Sequence, residues 1–491
     1  MTKMAFYSAL FTFCILLIFG GCKKDEFTTD TSATITLSED TILFDTVFTT
    51  VGSSTEYFII YNNNDQAINI SSIRIATGNS SNFRLNVDGI PGKAFSNIEI
   101  DANDSIWVFV EVTVDPNNLN TPLVITDSIL FETNGNLQEI DLVAWGQDAY
   151  FHRPPPNGAP LFFLNCNEVW DNTKPHVVYG YALVDSGCTL TINAGTNVHF
   201  HPGSGLIVMS AASLVVNGTS GSPVNFQGDK LGINFSESPG QWEYIRLSNL
   251  TRKNLQGDFS EIGPGARNCT MDWAIIKNAN VGLVVDTVFN TTSTTLTMNN
   301  CIVKNMASAA LLARGTTIKA RNCLFANCGQ YVAQLVFGGT YEFLHCTFAN
   351  YWQNGNRQTA SLFLNNYYVD LRPLVTAFRN CIIYGDQDSE IEYDSANVAG
   401  NNFDFQFDHC LLKLDEAVSV SNTYNYRNIL RNQDPFFTDV DNNDYALDST
   451  SVAIDAGDPN VLNLSPVLSF DLKNNARPQG LNPDMGAYER R

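Results

Sequence analysis

"NNCIVKN", residues 299–305, opens a series of close variants: "RNCLFAN" at 321–327, "LHCTFAN" at 344–350, "RNCIIYG" at 379–385 and "DHCLLKL" at 408–414. The cysteines fall 22, 23, 35 and 29 residues apart, and "MDWAIIKN" sets Ala274 in the same position 27 residues before Cys301. A basic period near 22 with occasional insertions is the signature of a solenoid, and this length suits one coil of a parallel β-helix. Residues five and three before each cysteine, from Leu296 with Met298 to Phe405 with Phe407, alternate as one inward strand face. The cysteine and the residue two after it (Val303, Phe325, Phe348, Ile383, Leu412) form a second inward pair. An odd step separates the two sets, so the chain must turn at the two residues before the cysteine.

Such a turn needs a left-handed backbone, which Asn300, Asn322, His345, Asn380 and His409 tolerate better than most residues. A second run, Asn278, Asn305, Asn327 and Asn350, marks the next bend and gives way to Gly385. Stacked coils then predict ladders of amides, with the cysteine as a small, soft core residue. Reading His345-Cys346 and His409-Cys410 as metal ligands or as nucleophile and base fails on geometry, because neighbours across a turn point to opposite sides.

The N-terminus carries one lysine, an apolar run from Ala5 to Gly21, and then Cys22 followed by "KKDE". This reads as a signal peptide over 1–21 and a lipid anchor and tether over 22–30. Without residues 1–21 the chain keeps 27 of its 28 Lys+Arg and all 50 Asp+Glu, a formal net charge of -23. A surface so acidic repels phosphate backbones and excludes nucleic acid as a partner. Residues 31–148 show at least six short alternating strands between turn compositions such as "NNND" and "DPNN", the pattern of a β-sandwich. A Pro-rich linker is placed at 149–160, and the β-helix at 161–491 with a C-terminal cap from about 430. Cys166 and Cys188 flank the start of the repeats and are the candidate disulfide.

Several stretches resemble known families. "GGC" at 20–22 is similar to a bacterial lipobox, implying acylation of Cys22 and attachment to outer-membrane lipid, with "KKDE" resembling the tag for the exterior face. "IIYNNND", "VTVDP" and "LVAWGQ" resemble immunoglobulin-like domains of the ASPM, SPD-2 and Hydin type. Residues 189–228 resemble the opening coils of right-handed β-helices of the pectate-lyase-like fold. "STSVAIDAGDPN" with "DLKNNARPQGLNPDMGAYER" resembles the C-terminal region of choice-of-anchor Q surface proteins, on Ile454, Asp455, Ala456, Gly457, Asp471, Arg477, Pro478, Asp484, Gly486, Ala487, Tyr488 and Glu489. The expected chain is therefore all-β: an N-terminal immunoglobulin-like β-sandwich followed by a right-handed parallel β-helix.

Candidate functional residues fall in the repeat region. "GDQDSEIEYD" spaces Asp386, Asp388, Glu390, Glu392 and Asp394 at alternate positions, so an extended chain would gather them on one face for calcium or for acid and base work. Against that stands a solvated acidic loop. The long repeat after Cys346 carries Tyr351 and Trp352, which could stack on sugar rings or pack against the coil. His199 and His201 share one side of a strand without a third ligand, and 251–267 places Arg252, Lys253 and Arg267 in a loop. No catalytic residue is assigned and no cofactor is required, calcium being the one ion the carboxylates would suit. The function expected is a non-catalytic surface lipoprotein binding glycan or a surface protein, in adhesion or scaffolding; the alternative is a polysaccharide lyase or glycoside hydrolase.

Overall fold

The computed structural model describes residues 27–49, 52–53, 55–114, 123–156, 158–232, 235–260, 262–287, 293–367, 372–396 and 403–490. Cys22 and the signal-like segment 1–21 lie outside the described residues. The chain divides into two units, one ending at Gln147 and the other starting at Asp148.

The first unit is an immunoglobulin-like sandwich of two five-stranded sheets. Alternation along each strand decides which side is buried: Phe58 and Ile60, Ile73 and Ile75, Val108, Val110 and Val112, and Ile140, Leu142 and Ala144 all face the shared core. Pairing is antiparallel except where Thr41–Phe48 lies parallel to Asn136–Gln147.

The second unit is a parallel β-helix with three faces. The first face is an 11-stranded parallel sheet from Tyr150–His152 to Leu430–Arg431. The other two faces belong to one 17-stranded sheet, because Ala309–Arg321 and Ala333–Leu344 run unbroken around the corner between them, bending at Gly315 (φ 55°) and at Gly338 (φ 75°). Tyr150–His152 pairs with His176–Val178, so the segment expected to be linker already contributes the first strand of the helix, and Pro154 to Pro156 follow that strand. Ladder hydrogen bonds of this strand outweigh the break suggested by the prolines.

The corners follow one rule. All seven free cysteines of the described chain, Cys269, Cys301, Cys323, Cys328, Cys346, Cys381 and Cys410, are buried. Each follows an Asn or His at positive φ: Asn268, Asn300, Asn322, Asn327, His345, Asn380 and His409. Each thiol donates to the carbonyl two residues before it, over 3.2 Å (Cys323 to Arg321) to 3.8 Å (Cys269 to Arg267). Those carbonyls also accept ladder bonds from the adjoining coil, as Arg321 O does from Asn300 N and Arg379 O from His345 N. The cysteine is thus a residue small enough for the inside of the corner whose buried S–H finds the carbonyl's second lone pair. Ala274, after Trp273 at φ 49°, shows that smallness is the firmer requirement. Cys269 and Cys328 lie off the sequence repeat yet obey the same rule at other corners.

The amide ladder forms in part: Asn322 donates to Asn300 Oδ1 (3.1 Å) and Asn380 to His345 Nε2 (2.9 Å). In the second run, Asn278, Asn305 and Asn327 are left-handed, but Asn350 is not. It ends the strand Thr347–Asn350, where its side chain accepts from Cys328 N and donates to Gln330 O while the chain departs into the inserted loop.

The C-terminal segment differs from the expected cap. It lies along the outside of the first face, where Leu324, Ala326, Ala349, Ile382, Tyr384 and Leu411 pack under Tyr445, Ala453, Leu472, Met485, Ala487 and Tyr488. The reason is legible in the coils themselves: these strands are apolar on their outer side too, and only a covering layer removes that surface from water. The last coil is closed instead by 415–429, with Val418, Val420 and Ile429 against the core. At the other end Cys166 and Cys188 form a disulfide across one coil, and Trp170 stacks against both His152 and His176 (4.6 and 4.7 Å), which are themselves hydrogen-bonded to each other (2.9 Å).

Burial pushes the thiols of Cys269 and Cys328 up to about 12 and acts in the same sense on Cys301, Cys346 and Cys381. In the native protein none of the seven thiols should react with an aromatic disulfide reagent at pH 8, and all should react in denaturant. Cys346→Ala should cost only about 1 kcal/mol by urea unfolding, since one weak donor and a small volume are lost.

Candidate functional site

The acidic stretch 386–394 is not extended throughout; only Ile391–Asp394 is a strand. Its carboxylates consequently part company. Glu390 is fully buried and accepts from Arg357 on both oxygens (2.6 and 2.9 Å), from Ser361 N and Oγ (2.8 and 2.7 Å) and from Gln387 N (2.8 Å). Arg357 is equally enclosed and also bonds Asn350 O, Thr359 O and Asp386. The charges are paired and hydrogen-bonded, the condition under which ions tolerate an interior. Asp388 is exposed on the turn, and Glu392 and Asp394 alone share the outward side of the strand.

Tyr351 and Trp352 do not form an open sugar platform. Tyr351 is half-buried beneath the C-terminal segment, 6.2 Å from Phe437 and 6.3 Å from Tyr445, and Trp352 lies half-buried beside Gly329. His199 and His201 go separate ways, His199 buried against Gly228 O (3.1 Å) and His201 paired with Asp229 (2.7 Å) and stacked on Tyr179. In the 251–267 segment Arg252 lies on the ring of Phe163 and forks onto Asp185, and it begins a short helix, Arg252–Leu255. Among the described residues one group of three side chains lies close enough to hold a metal: Asp408, His409 and Asp458. Asp408 already accepts from His409 Nδ1 (2.9 Å) and from Arg427, whose cation occupies the place a metal ion's charge would take.

The outer side of the second face gathers the most varied side chains, with Glu392 and Asp394 exposed, Arg246, Leu312, Gln334 and Phe363 half-buried and Val284, Asp286, Val336 and Asn365 buried. Register places Arg246, Val284, Leu312, Gln334, Phe363 and Glu392 in one column, one residue per coil. Beside it run Asp286, Arg314, Val336, Asn365 and Asp394. Asp286 accepts from Arg246 (2.7 Å) and Arg314 (3.4 Å). Glu392 accepts from the Tyr331 hydroxyl (3.3 Å), Asp394 from the Tyr367 hydroxyl (2.7 and 2.8 Å), and the Tyr331 ring sits 5.4 Å from Phe363. Burial and then Glu392 push the Tyr331 phenol up to about 12, so it remains a donor at neutral pH. Rungs recur at about 4.8 Å, so the face offers a straight row in which Arg246, Gln334, Phe363 and Glu392 supply donors, acceptors and a ring and Val284 and Leu312 are aliphatic. Of the predicted site only Glu392 and Asp394 belong to it; Gln334, Phe363 and Tyr331 gave no sequence motif, and register alone assembles them.

No family model matches the chain, and no curated protein matches it. Among solved structures, a family 123 glycoside hydrolase from Clostridium perfringens is similar at 9% identity over 24% of this chain, with a TM-score of 0.18, and this chain spans only 30% of its length. The catalytic domain of Agl-KA is similar over 73% of this chain and 75% of its own, at 9% identity and a TM-score of 0.24. The Streptococcus pneumoniae surface protein and adhesin PfbA is similar over 54% of this chain and 80% of its own, at 9% identity and a TM-score of 0.20. Scores this low carry no argument about activity.

Two predictions test this reading of the interior. Arg357→Ala or Glu390→Ala should each cost about 3–5 kcal/mol by urea unfolding, because each strands a buried charge, and the double substitution should cost less than the sum. Burial lowers the imidazole of His176, helped by His152, and that of His199 to about 4, and it lowers His152 as well. The unfolded chain takes up these protons near pH 6.5, and the folded chain takes up those of His176 and His199 only near 4, so the contribution of these two is complete above 6.5 and is lost as pH falls toward 4. Thermal midpoints should drop across that window, and His176→Gln should flatten the drop.

Proposed function

We propose that this chain is a surface lipoprotein of the choice-of-anchor Q type whose β-helix binds an extended polysaccharide without cleaving it. The observation that carries this reading is the column on the second face, where register sets Arg246, Gln334, Phe363 and Glu392 in a straight line, with aliphatic Val284 and Leu312 between the first two. A polymer with a repeat comparable to the rung spacing can meet ring faces and hydrogen-bonding groups along it. The acidic groups there are held by neighbours, Asp286 by two arginines and Glu392 and Asp394 by phenols, an arrangement that suits positioning of hydroxyls more than proton transfer. The sandwich, of the ASPM, SPD-2 and Hydin type, acts as spacer. Acylated Cys22 anchors the protein in outer-membrane lipid facing the exterior, a reading supported by the "GGC" and "KKDE" sequences.

The chain from residue 23 onward should be retarded by immobilised polysaccharide, with no new chain ends and with no dependence on calcium. Gln334→Ala with Phe363→Ala should weaken retardation about tenfold. New chain ends lost on Glu392→Gln would instead place the protein among the lyases or hydrolases. Fatty-acid labelling of the full chain should vanish in Cys22→Ala, and persistence of the label would remove the anchor.

A further inference from the structure

The first unit carries an aromatic surface that the spacer role leaves unused. On the strand Ser105–Val112 the residues Val108, Val110 and Val112 enter the core, while Trp107, Phe109 and Glu111 face outward. Tyr57 stands opposite Phe109 in the register. The three rings form one cluster, Tyr57 to Trp107 at 4.9 Å and each of these to Phe109 at 6.3 Å, with Trp107 and Phe109 within 17° of parallel. They stay 53%, 45% and 38% exposed, which is a large apolar surface left in water.

Next to the rings lies a cavity of about 540 Å³, lined on one side by Phe109 and Glu111 and on the other by Arg84, Asn86 and Lys93. Asn86 sits opposite Phe109, and its Oδ1 is enclosed without a hydrogen-bond partner. Arg84, exposed opposite Glu111, makes no hydrogen bond or ion pair among the described residues. Lys93 is fixed on Asn79 O (3.1 Å) and Ser81 O (2.6 Å), which holds its charge at the rim. An aromatic floor and a guanidinium that is unpaired among the described residues ask for a ligand with an apolar face and a negative charge.

We propose that this face of the sandwich is a second saccharide site, specific for a pyranose that bears a carboxylate. The sugar's C–H face lies on Trp107 and Tyr57, and the carboxylate meets Arg84. Two cations against the one carboxylate of Glu111 give this cavity a local positive balance in a chain whose formal net charge is -22, so the charge complementarity is local.

The test uses the chain from residue 23 onward in affinity electrophoresis with polygalacturonate and with neutral hydroxyethyl cellulose. Trp107→Ala should weaken polygalacturonate binding about tenfold, Trp107→Tyr should retain most of it, and Arg84→Gln should lower binding of the acidic polymer alone. Phe363→Ala alters the β-helix face and should leave the Trp107-dependent part in place, so failure of either site is read separately. If Trp107→Ala unfolds the sandwich by circular dichroism, Tyr57→Ala with Arg84→Gln carries the same test. Unchanged binding in a folded variant overturns the proposal. So does self-association that Trp107→Ala abolishes without any saccharide binding, since that result gives the face to a second copy of the chain.

Discussion

Everything in the second unit depends on how the chain turns a corner without leaving a buried polar group alone. A coil that meets its neighbours through parallel ladders must change direction within one or two residues, and the left-handed conformation does this at the least length. It also directs a peptide carbonyl to where the core begins. Asparagine or histidine accepts the conformation, and the cysteine that follows supplies a small apolar body with one weak donor. The seven thiol-to-carbonyl contacts are the same local solution repeated, which is why the coils stack in register and why their interior is a continuous column of Val, Ile, Leu and Phe.

The outer sides of the coils are less uniform, and their differences carry the rest of the architecture. On the first face the residues one and three after the cysteine are Ile302 and Lys304 in one coil, then Leu324 and Ala326, Thr347 and Ala349, and Ile382 and Tyr384 in those that follow. Where lysine stands, Lys277 and Lys304 reach Glu237. Where lysine gives way to Ala326, Ala349 and Tyr384, the C-terminal segment lies over them. Its charged residues hold it in shape: Arg477 bonds Glu489 (3.1 Å) and reaches Asn322 Oδ1 (2.7 Å), Asp471 accepts from Glu489 N (2.8 Å), and Asp484 accepts from Asp455 N (2.8 Å) and Arg490 N (2.7 Å).

The coil period, the inward pairs and the left-handed Asn and His positions were legible in the sequence, because parity and residue type are local properties. Cys269 and Cys328 could have been found by the Asn-Cys dipeptide alone, without the longer repeat. The lateral docking of the C-terminus was signalled by two consecutive apolar residues after the cysteine, one of which must point out. The division of the acidic stretch was not legible: Glu390 is buried because Arg357, 33 residues earlier, returns to meet it, and no local pattern reports such a meeting. Nor was the column on the second face, which exists only once coils of unequal length are aligned. The aromatic face did leave a trace in "SIWVFVEV", a run apolar on both sides in a sheet with one side toward the core.

A stack of near-identical rungs has an ambiguity that its own interior cannot resolve. A coil displaced by one repeat would still place a cysteine on a cysteine and a phenylalanine on a phenylalanine, at little loss in ladder bonds. The docked C-terminal segment reads what the interior does not distinguish. It requires Asn322 beneath Arg477, Asn380 beside Asp458 (3.0 Å) and the Thr347 hydroxyl beneath Ala487 N (3.0 Å), three addresses on three different coils. The C-terminal segment therefore indexes the coils made before it, and the clasp works as a parity check on the count.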